Sequence, residues 1–206
     1  MKNSRLLIFI KNPILGKVKT RLAVDIGQEK ALLVYQYLLN HTKTVVLPLA
    51  HEKQICYDAF VDENDMWDND KFLKIKQLGS DLGERMYNAF QNAFQEGCQK
   101  VVIIGSDCLE ISNKIIESAF EELNENDAVL GGAMDGGYYL LGLSKLEKTV
   151  FENKKWSTNT VFEDTIQNFI QKRMSYHLLP KLNDIDNLED LKTAKSIDNA
   201  FFKSIF

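Results

Sequence analysis

Apolar positions along the chain switch between two spacings, and the switching predicts a succession of strands and helices. Arg5 to Lys11 (RLLIFIK) is a β-branched and aromatic run halted by Asn12-Pro13, which predicts a buried first strand. From Gln28 to about Val45, the residues Ala31, Leu32, Val34, Tyr35, Leu38 and Leu39 keep the three-and-four spacing of an amphipathic helix. Gln54 to Phe60 and Phe72 to Leu78 predict two more strands, and the segment between them, Val61 to Asp70, carries five acids and reads as a surface loop. A second helical stripe follows at Leu82, Met86, Ala89, Phe90, Ala93 and Phe94.

Lys100 to Ile104 (KVVII) is the clearest buried strand, and it stops at Gly105-Ser106-Asp107. Beyond it the pattern predicts a helix from about Asn113 to Leu123 and a strand at Ala128 to Gly131. A glycine-rich connection at Gly131 to Gly137 and a strand at Tyr138 to Leu143 follow. Ser157 is placed to cap a helix reaching about Arg173, and Tyr176 to Leu179 predicts a last strand. Asp186 and Glu189 have capping-box spacing ahead of a final helix. Strands alternating with helices predict the α/β class. No repeat, low-complexity tract or linker divides the chain, so one domain over residues 1–206 is expected.

Composition narrows the partners. With 206 residues, 45% hydrophobic and 26% charged, the chain has enough apolar content for a sizeable core. Its 25 basic and 29 acidic residues give a net charge of −4, which disfavours nucleic acid as a partner. No apolar run reaches the roughly 18 to 20 residues that span a bilayer, so neither a signal peptide nor a membrane anchor is expected. Cys56, Cys98 and Cys108 lie far apart without a CxxC pair, which predicts reduced thiols in a cytoplasmic enzyme. His41, His51 and His177 show no ligand spacing. The apolar end from Phe201 to Phe206 should pack on the core, with a homodimer contact as the alternative.

Four constellations could carry chemistry. Lys11, Lys17, Lys19 and Arg21 put four cations and no acid into 11 residues, and Gly16 permits a tight turn among them. An extended backbone would point Lys17, Lys19 and Arg21 the same way, toward a polyphosphate, although a solvated basic loop would look the same. Lys11 and Val18 stand where a P-loop needs glycine and a hydroxyl residue, and no GxGxxG follows the first strand. Gly79, Asp81, Gly83 and Arg85 surround a helix start that could approach a ligand; equally, Asp81 could cap the helix and pair with Arg85. Ser106 and Asp107 end a buried strand, where a carboxylate can place Mg2+ or Mn2+ on a diphosphate, and Asp184 and Asp186 offer further carboxylates. Asp135 lies among glycines and could bond a hydroxyl or act as a base, with a plain tight turn as the alternative.

The blocks IFIKNPILGKVKTRLA (8–23), GSDLGERM (79–86), IIGSDC (103–108), DGGYYLLGL (135–143), WST (156–158) and DIDNLEDL (184–191) together resemble the DUF2064 family. That family is described as glycosyltransferase-like, includes arsenosugar-biosynthesis glycosyltransferases, and is related in fold to the GT-A nucleotide-diphospho-sugar transferases. The resemblance implies a Rossmann-like three-layer α/β/α domain with a mostly parallel sheet. It implies nucleotide binding by Lys11, Gly16, Lys17, Lys19, Arg21, Gly79, Asp81, Gly83, Arg85 and Ser106, and metal binding by Asp107 and Asp186. It also implies Asp135 as the catalytic group, with Gly136, Gly137, Tyr138, Trp156 and Ser157 around a small acceptor. Two departures stand out. The basic loop lacks the GxxxRxxxK pattern of sugar-nucleotide pyrophosphorylases, and Asp107 sits in SDC rather than DxD. Metal-assisted glycosyl transfer from a sugar nucleotide is the leading expectation. Nucleotidyl transfer from a nucleoside triphosphate to a phosphorylated acceptor is the second, and non-catalytic nucleotide binding the third.

Overall fold

The computed structural model of the chain describes residues 3–194 and 201. The elements run β1 (Ser4–Ile10), α1 (Thr20–Ile26), α2 (Gln28–Val46), β2 (Glu52–Tyr57), β3 (Leu73–Lys76), α3 (Leu82–Gln95), β4 (Lys100–Ile104) and α4 (Asn113–Glu122). They continue with β5 (Ala128–Ala133), β6 (Tyr138–Leu143), a 3-10 turn (Lys148–Val150), α5 (Val161–Gln171), β7 (Tyr176–Leu182) and α6 (Leu188–Ala194). The strands form one seven-stranded sheet in the order β3-β2-β1-β4-β6-β5-β7. β1 pairs parallel with β2 and β4, β2 with β3, and β5 with β7, while β6 runs antiparallel to both β4 and β5.

Side chains that alternate along the central strands feed two opposite layers. Leu6, Ile8, Val102 and Ile104 face α2 and α4 through Tyr35, Leu39, Ile116 and Phe120. Leu7, Val101, Ile103 and Leu141 face α3 and α5 through Met86, Phe90, Phe162 and Phe169. A smaller cluster of Leu22, Val34, Leu38, Leu109, Ile185 and Leu191 binds α1 and α6 to the outside of α2. The α/β class and the mostly parallel sheet are therefore as expected. At the end of the sheet away from the site, His51 accepts or donates to Ser4 Oγ at 2.6 Å, meets Glu117 at 3.0 Å and stacks on Phe120.

Several expected boundaries move, each for a physical reason. The glycine-rich connection shrinks to Met134–Gly137, because Gly131 and Gly132 belong to β5. A Cβ on either would lie 2.4 Å from the Tyr139 ring or 2.6 Å from the Phe162 ring, so these glycines admit aromatic packing. β7 runs on through Pro180, which an edge strand tolerates because its outer N–H groups need no partner. Ser157 does not cap a helix: its φ is +62°, and α5 begins only at Val161, where Phe162 N–H donates to Gly136 O. At α6 the cap is Asn187, whose Oδ1 accepts from Glu189 N and Asp190 N, while Asp190 reaches back to Asp186 N. Asp186 is thereby spared the capping role. The helix α1 was not foreseen, since only Leu22 of its seven residues is buried.

Cys56, Cys98 and Cys108 are free and buried. No described helix is long and apolar enough to cross a membrane. Phe201 stacks on Tyr37 with centroids 3.8 Å apart, and residues 202–206 of the expected packing tail lie outside the described residues. Phe90 is fully enclosed in the α3 layer, so Phe90→Ala should cost about 3–5 kcal/mol. Urea unfolding checks this, and a loss below about 1 kcal/mol would show that the layer refills the cavity.

Candidate functional site

Six of the seven strands run in one direction, and their carboxyl ends share a rim with the β5–β6 turn. The chain leaves β1 toward α1 and α2, and the strand order reverses between the β2 and β4 sides of β1, which opens a crevice at that rim. Into it come the segment after β1, Asp58 after β2, Gln77 after β3, Gly105–Asp107 after β4, Asp135–Gly137 between β5 and β6, and Asp184–Asp186 after β7.

The segment after β1 is clamped before it turns. Buried Asn12 accepts from Ala59 N and Phe60 N at 3.2 Å and donates to Phe60 O at 3.0 Å. Tyr35 on α2 accepts from Lys11 N at 2.8 Å, donates to Lys11 O and touches Ser106 Oγ at 3.3 Å. Gln77 Nε2 donates to Ile10 O and Cys56 O, closing the ends of β1 and β2. Ser106 is therefore a buried brace at the cavity wall.

The basic residues do not follow an extended backbone. Lys19 adopts φ 47° and ψ 44°, a left-handed conformation just ahead of α1, and this swings its side chain inward. Its ammonium, with a side chain 3% exposed, donates to Ile185 O at 2.6 Å and lies 2.8 Å from Asp107 Oδ1 and 3.3 Å from Asp186 Oδ1. Burial lowers the Lys19 pKa, but the two carboxylates outweigh it and the net direction is upward. Arg21, mostly exposed on α1, donates from Nη2 to Asp186 Oδ2 at 3.0 Å. Lys11, Lys19, Arg21 and Arg85 line a cavity of about 490 Å³ with Asp58, Ser106, Asp107 and Asp186. Lys17 is exposed and Gly16 forms the turn, with φ +74°; neither lines this cavity.

Asp107 and Asp186 converge on one cation-sized point, which the Lys19 ammonium fills. Among the described residues no group of three or more His, Cys, Asp and Glu is arranged to hold a metal. Two carboxylates nonetheless suit Mg2+ or Mn2+, hard cations that draw the rest of their oxygens from substrate phosphates and water. Asp107 keeps 43% of its side chain exposed at the cavity and so remains open to such an ion, whereas Asp186 is engaged by Lys19 and Arg21.

A second cavity of about 370 Å³ adjoins the first and shares Phe9, Arg21, Leu82, Gly105, Ser157 and Asp186 with it. Asp135, Gly137, Tyr138 and Trp156 line it. Asp135 Oδ1 accepts from Gly137 N at 2.9 Å. Asp184, which the sequence offered beside Asp186 as a further carboxylate, also lines it; burial first, then Asp107, pushes its carboxyl up to about 7.

Several expected residues also make structural contacts. Asp81 caps α3 by accepting from Glu84 N and lines a separate cavity beside Lys148 and Glu152. A Cβ on Gly79 would meet Arg85 N at 2.7 Å, and one on Gly83 would meet Phe151 O at 2.3 Å, so both glycines admit protein contacts. Gly136 packs likewise against Asn159, where a Cβ would lie 2.2 Å from its carbonyl oxygen. Arg85 donates to Gly79 O rather than to Asp81. Asn12, Tyr35, Asp58 and Gln77 were missed; Asp58 and Gln77 follow strand ends, where attention to every polar group would have found them.

Comparison with known proteins places these features in context. The family DUF2064, described as "Uncharacterized protein conserved in bacteria", matches residues 42–158. A structure from Desulfovibrio desulfuricans G20, provisionally named a nucleotide-diphospho-sugar transferase, shares 33% identity. The alignment covers 98% of this chain and 91% of that one, with a TM-score of 0.87. At 12% identity, 4-diphosphocytidyl-2C-methyl-D-erythritol synthase from Anaerococcus prevotii DSM 20548 aligns over 95% and 96% of the two chains, with a TM-score of 0.61. The inositol-1-phosphate CTP transferase of T. maritima, 13% identical, aligns over 98% and 95%, with a TM-score of 0.59. The last two show a shared fold. A search of curated proteins finds no match.

Lys19→Met removes the donor common to Ile185 O, Asp107 and Asp186. Because both carboxylates keep some solvent, the expected loss is about 1–3 kcal/mol in urea unfolding. An unchanged midpoint would show that the buried ammonium adds no net stability.

Proposed function

The chain belongs to the DUF2064 family, and from that membership and the two adjoining cavities we propose a metal-assisted transferase that moves a glycosyl group from a sugar nucleotide to a small acceptor. One observation carries the reading. A cavity edged by Lys11, Lys19, Arg21 and Arg85 opens directly into one edged by Asp135, Tyr138 and Trp156, with Arg21 and Asp186 common to both. That is the arrangement required when a charged leaving group and a less charged acceptor meet at one reacting carbon.

In this reading Lys11 and Arg85 orient the nucleotide diphosphate, Arg21 holds the phosphate next to the sugar, and buried Lys19 adds its charge from behind Asp107 and Asp186. As the bond from the anomeric carbon to phosphate oxygen breaks, its electron pair stays on the diphosphate, and the two inner cations stabilise the growing charge. A divalent ion held by Asp107 and Asp186 would add charge neutralisation there. Asp135 takes the proton of the attacking hydroxyl. Ser106, through Tyr35, keeps the β1 and β4 loops in register.

Nucleotidyl transfer is the second reading, favoured by the number of cations around the first cavity, which suits a triphosphate. Thermal unfolding with nucleoside triphosphates, diphosphates and sugar nucleotides, each with and without Mg2+ or Mn2+, separates the two. A metal-dependent rise in Tm with a sugar nucleotide is expected, and Asp107→Asn should remove its metal-dependent part. A rise confined to triphosphates would transfer the assignment to nucleotidyl transfer, and none with any ligand would defeat both.

A further inference from the structure

The second cavity restricts what the acceptor can be, provided that the transferase reading holds. Its volume of about 370 Å³ accommodates one ring with substituents and lies near the low end for small-molecule sites. Phe9, Leu82, Met86, Tyr138, Trp156 and Val161 supply an apolar wall. That wall is already set: Tyr138 donates to Met86 Sδ at 3.6 Å, and the Tyr138 and Trp156 rings meet edge-on with centroids 6.5 Å apart.

Charge is the sharper constraint. Three aspartates, Asp135, Asp184 and Asp186, face one cation among the lining residues, Arg21, and Asp186 is already paired with Arg21 and with Lys19 behind it. Outward, a cleft of about 270 Å³ shares those four residues and adds Asp190. The contrast with the neighbouring cavity and its four cations is direct. A phosphate or carboxylate on the acceptor would meet like charge from Asp135 and, as it ionises, from Asp184, whereas a hydroxyl can donate to Asp135 and a ring can cover the apolar wall.

We propose that the acceptor is a hydroxyl-bearing compound with an apolar, ring-sized body and no anionic group, and that a positive charge at its outer end is accepted by the cleft. In the transfer its hydroxyl oxygen forms the new bond to the anomeric carbon and its proton passes to Asp135. The carbon–oxygen bond to the diphosphate breaks with the electron pair on the leaving group.

Three probes of similar size test this in the full chain: 4-methylbenzyl alcohol, tyramine and phenyl phosphate, followed by saturation-transfer NMR and by quenching of Trp156 fluorescence in a Trp67→Phe background. The alcohol and the amine should bind on the order of tenfold more tightly than phenyl phosphate, and Asp135→Asn should narrow the ratio to about threefold or less. Equal or tighter binding of phenyl phosphate overturns the proposal, as does binding of none of the three. The nucleotide Tm series separates the two failures. Nucleotide binding with a preference for phenyl phosphate defeats the acceptor assignment alone. The expected probe ranking without any nucleotide response defeats the transferase reading and leaves the cavity's selectivity standing.

Discussion

A buried ammonium is stable only where oxygens surround it, and the rim of this protein is organised around that requirement at Lys19. Its three oxygen partners come from two distant parts of the chain, the end of β4 and the approach to α6. The left-handed backbone at Lys19 is what directs the side chain inward, and Asn12 and Tyr35 hold the preceding segment in position for that turn. The Asn187 cap of α6 leaves both Asp186 oxygens to the cations Lys19 and Arg21. Backbone geometry, capping and electrostatics thus converge on one group of atoms.

The charge distribution across the rim follows from this arrangement. On the β1–β2–β3 side the cations exceed their carboxylate partners, so an added anion finds donors. On the β5–β6–β7 side the carboxylates predominate, and Asp184 registers the crowding: burial and the neighbouring aspartates hold it near 7. Asp186 and Arg21 stand at the boundary and line both sides. A single crevice therefore offers two electrostatic environments within one short crossing, without a second domain to provide the contrast.

Strand and helix order was legible in the sequence because the two periodicities are strong here, above all in KVVII and in the stripe from Leu82 to Phe94. The ends of elements were less so. Gly132 read as a loop, and Gly131 as the strand's last residue, because a sequence does not show the Tyr139 and Phe162 rings that require them inside a strand. Ser157 and Asp186 read as caps because their residue types favour capping, while Asn187 supplied one cap and Thr160 preceded the other helix. In the site, the carboxylates at strand ends were visible from topology alone. The inward turn of Lys19 was not, because a left-handed lysine carries no local sequence signal and is imposed by partners more than 80 residues away.

Among the described strands β6 alone runs against the rest, and the reversal frees one connection from the faces of the sheet. In an all-parallel sheet every crossover must traverse a face, so altering one disturbs a packed layer. The β5–β6 hairpin instead turns at the rim through four residues, Met134–Gly137, and returns without a crossover over either face. Within its tip Gly136 is fixed by Asn159 and Phe162, while Asp135 faces the crevice, so a change at 135 alters what the crevice admits with the packing beneath left in place. One turn thereby sets the character of the crevice on its carboxylate-rich side.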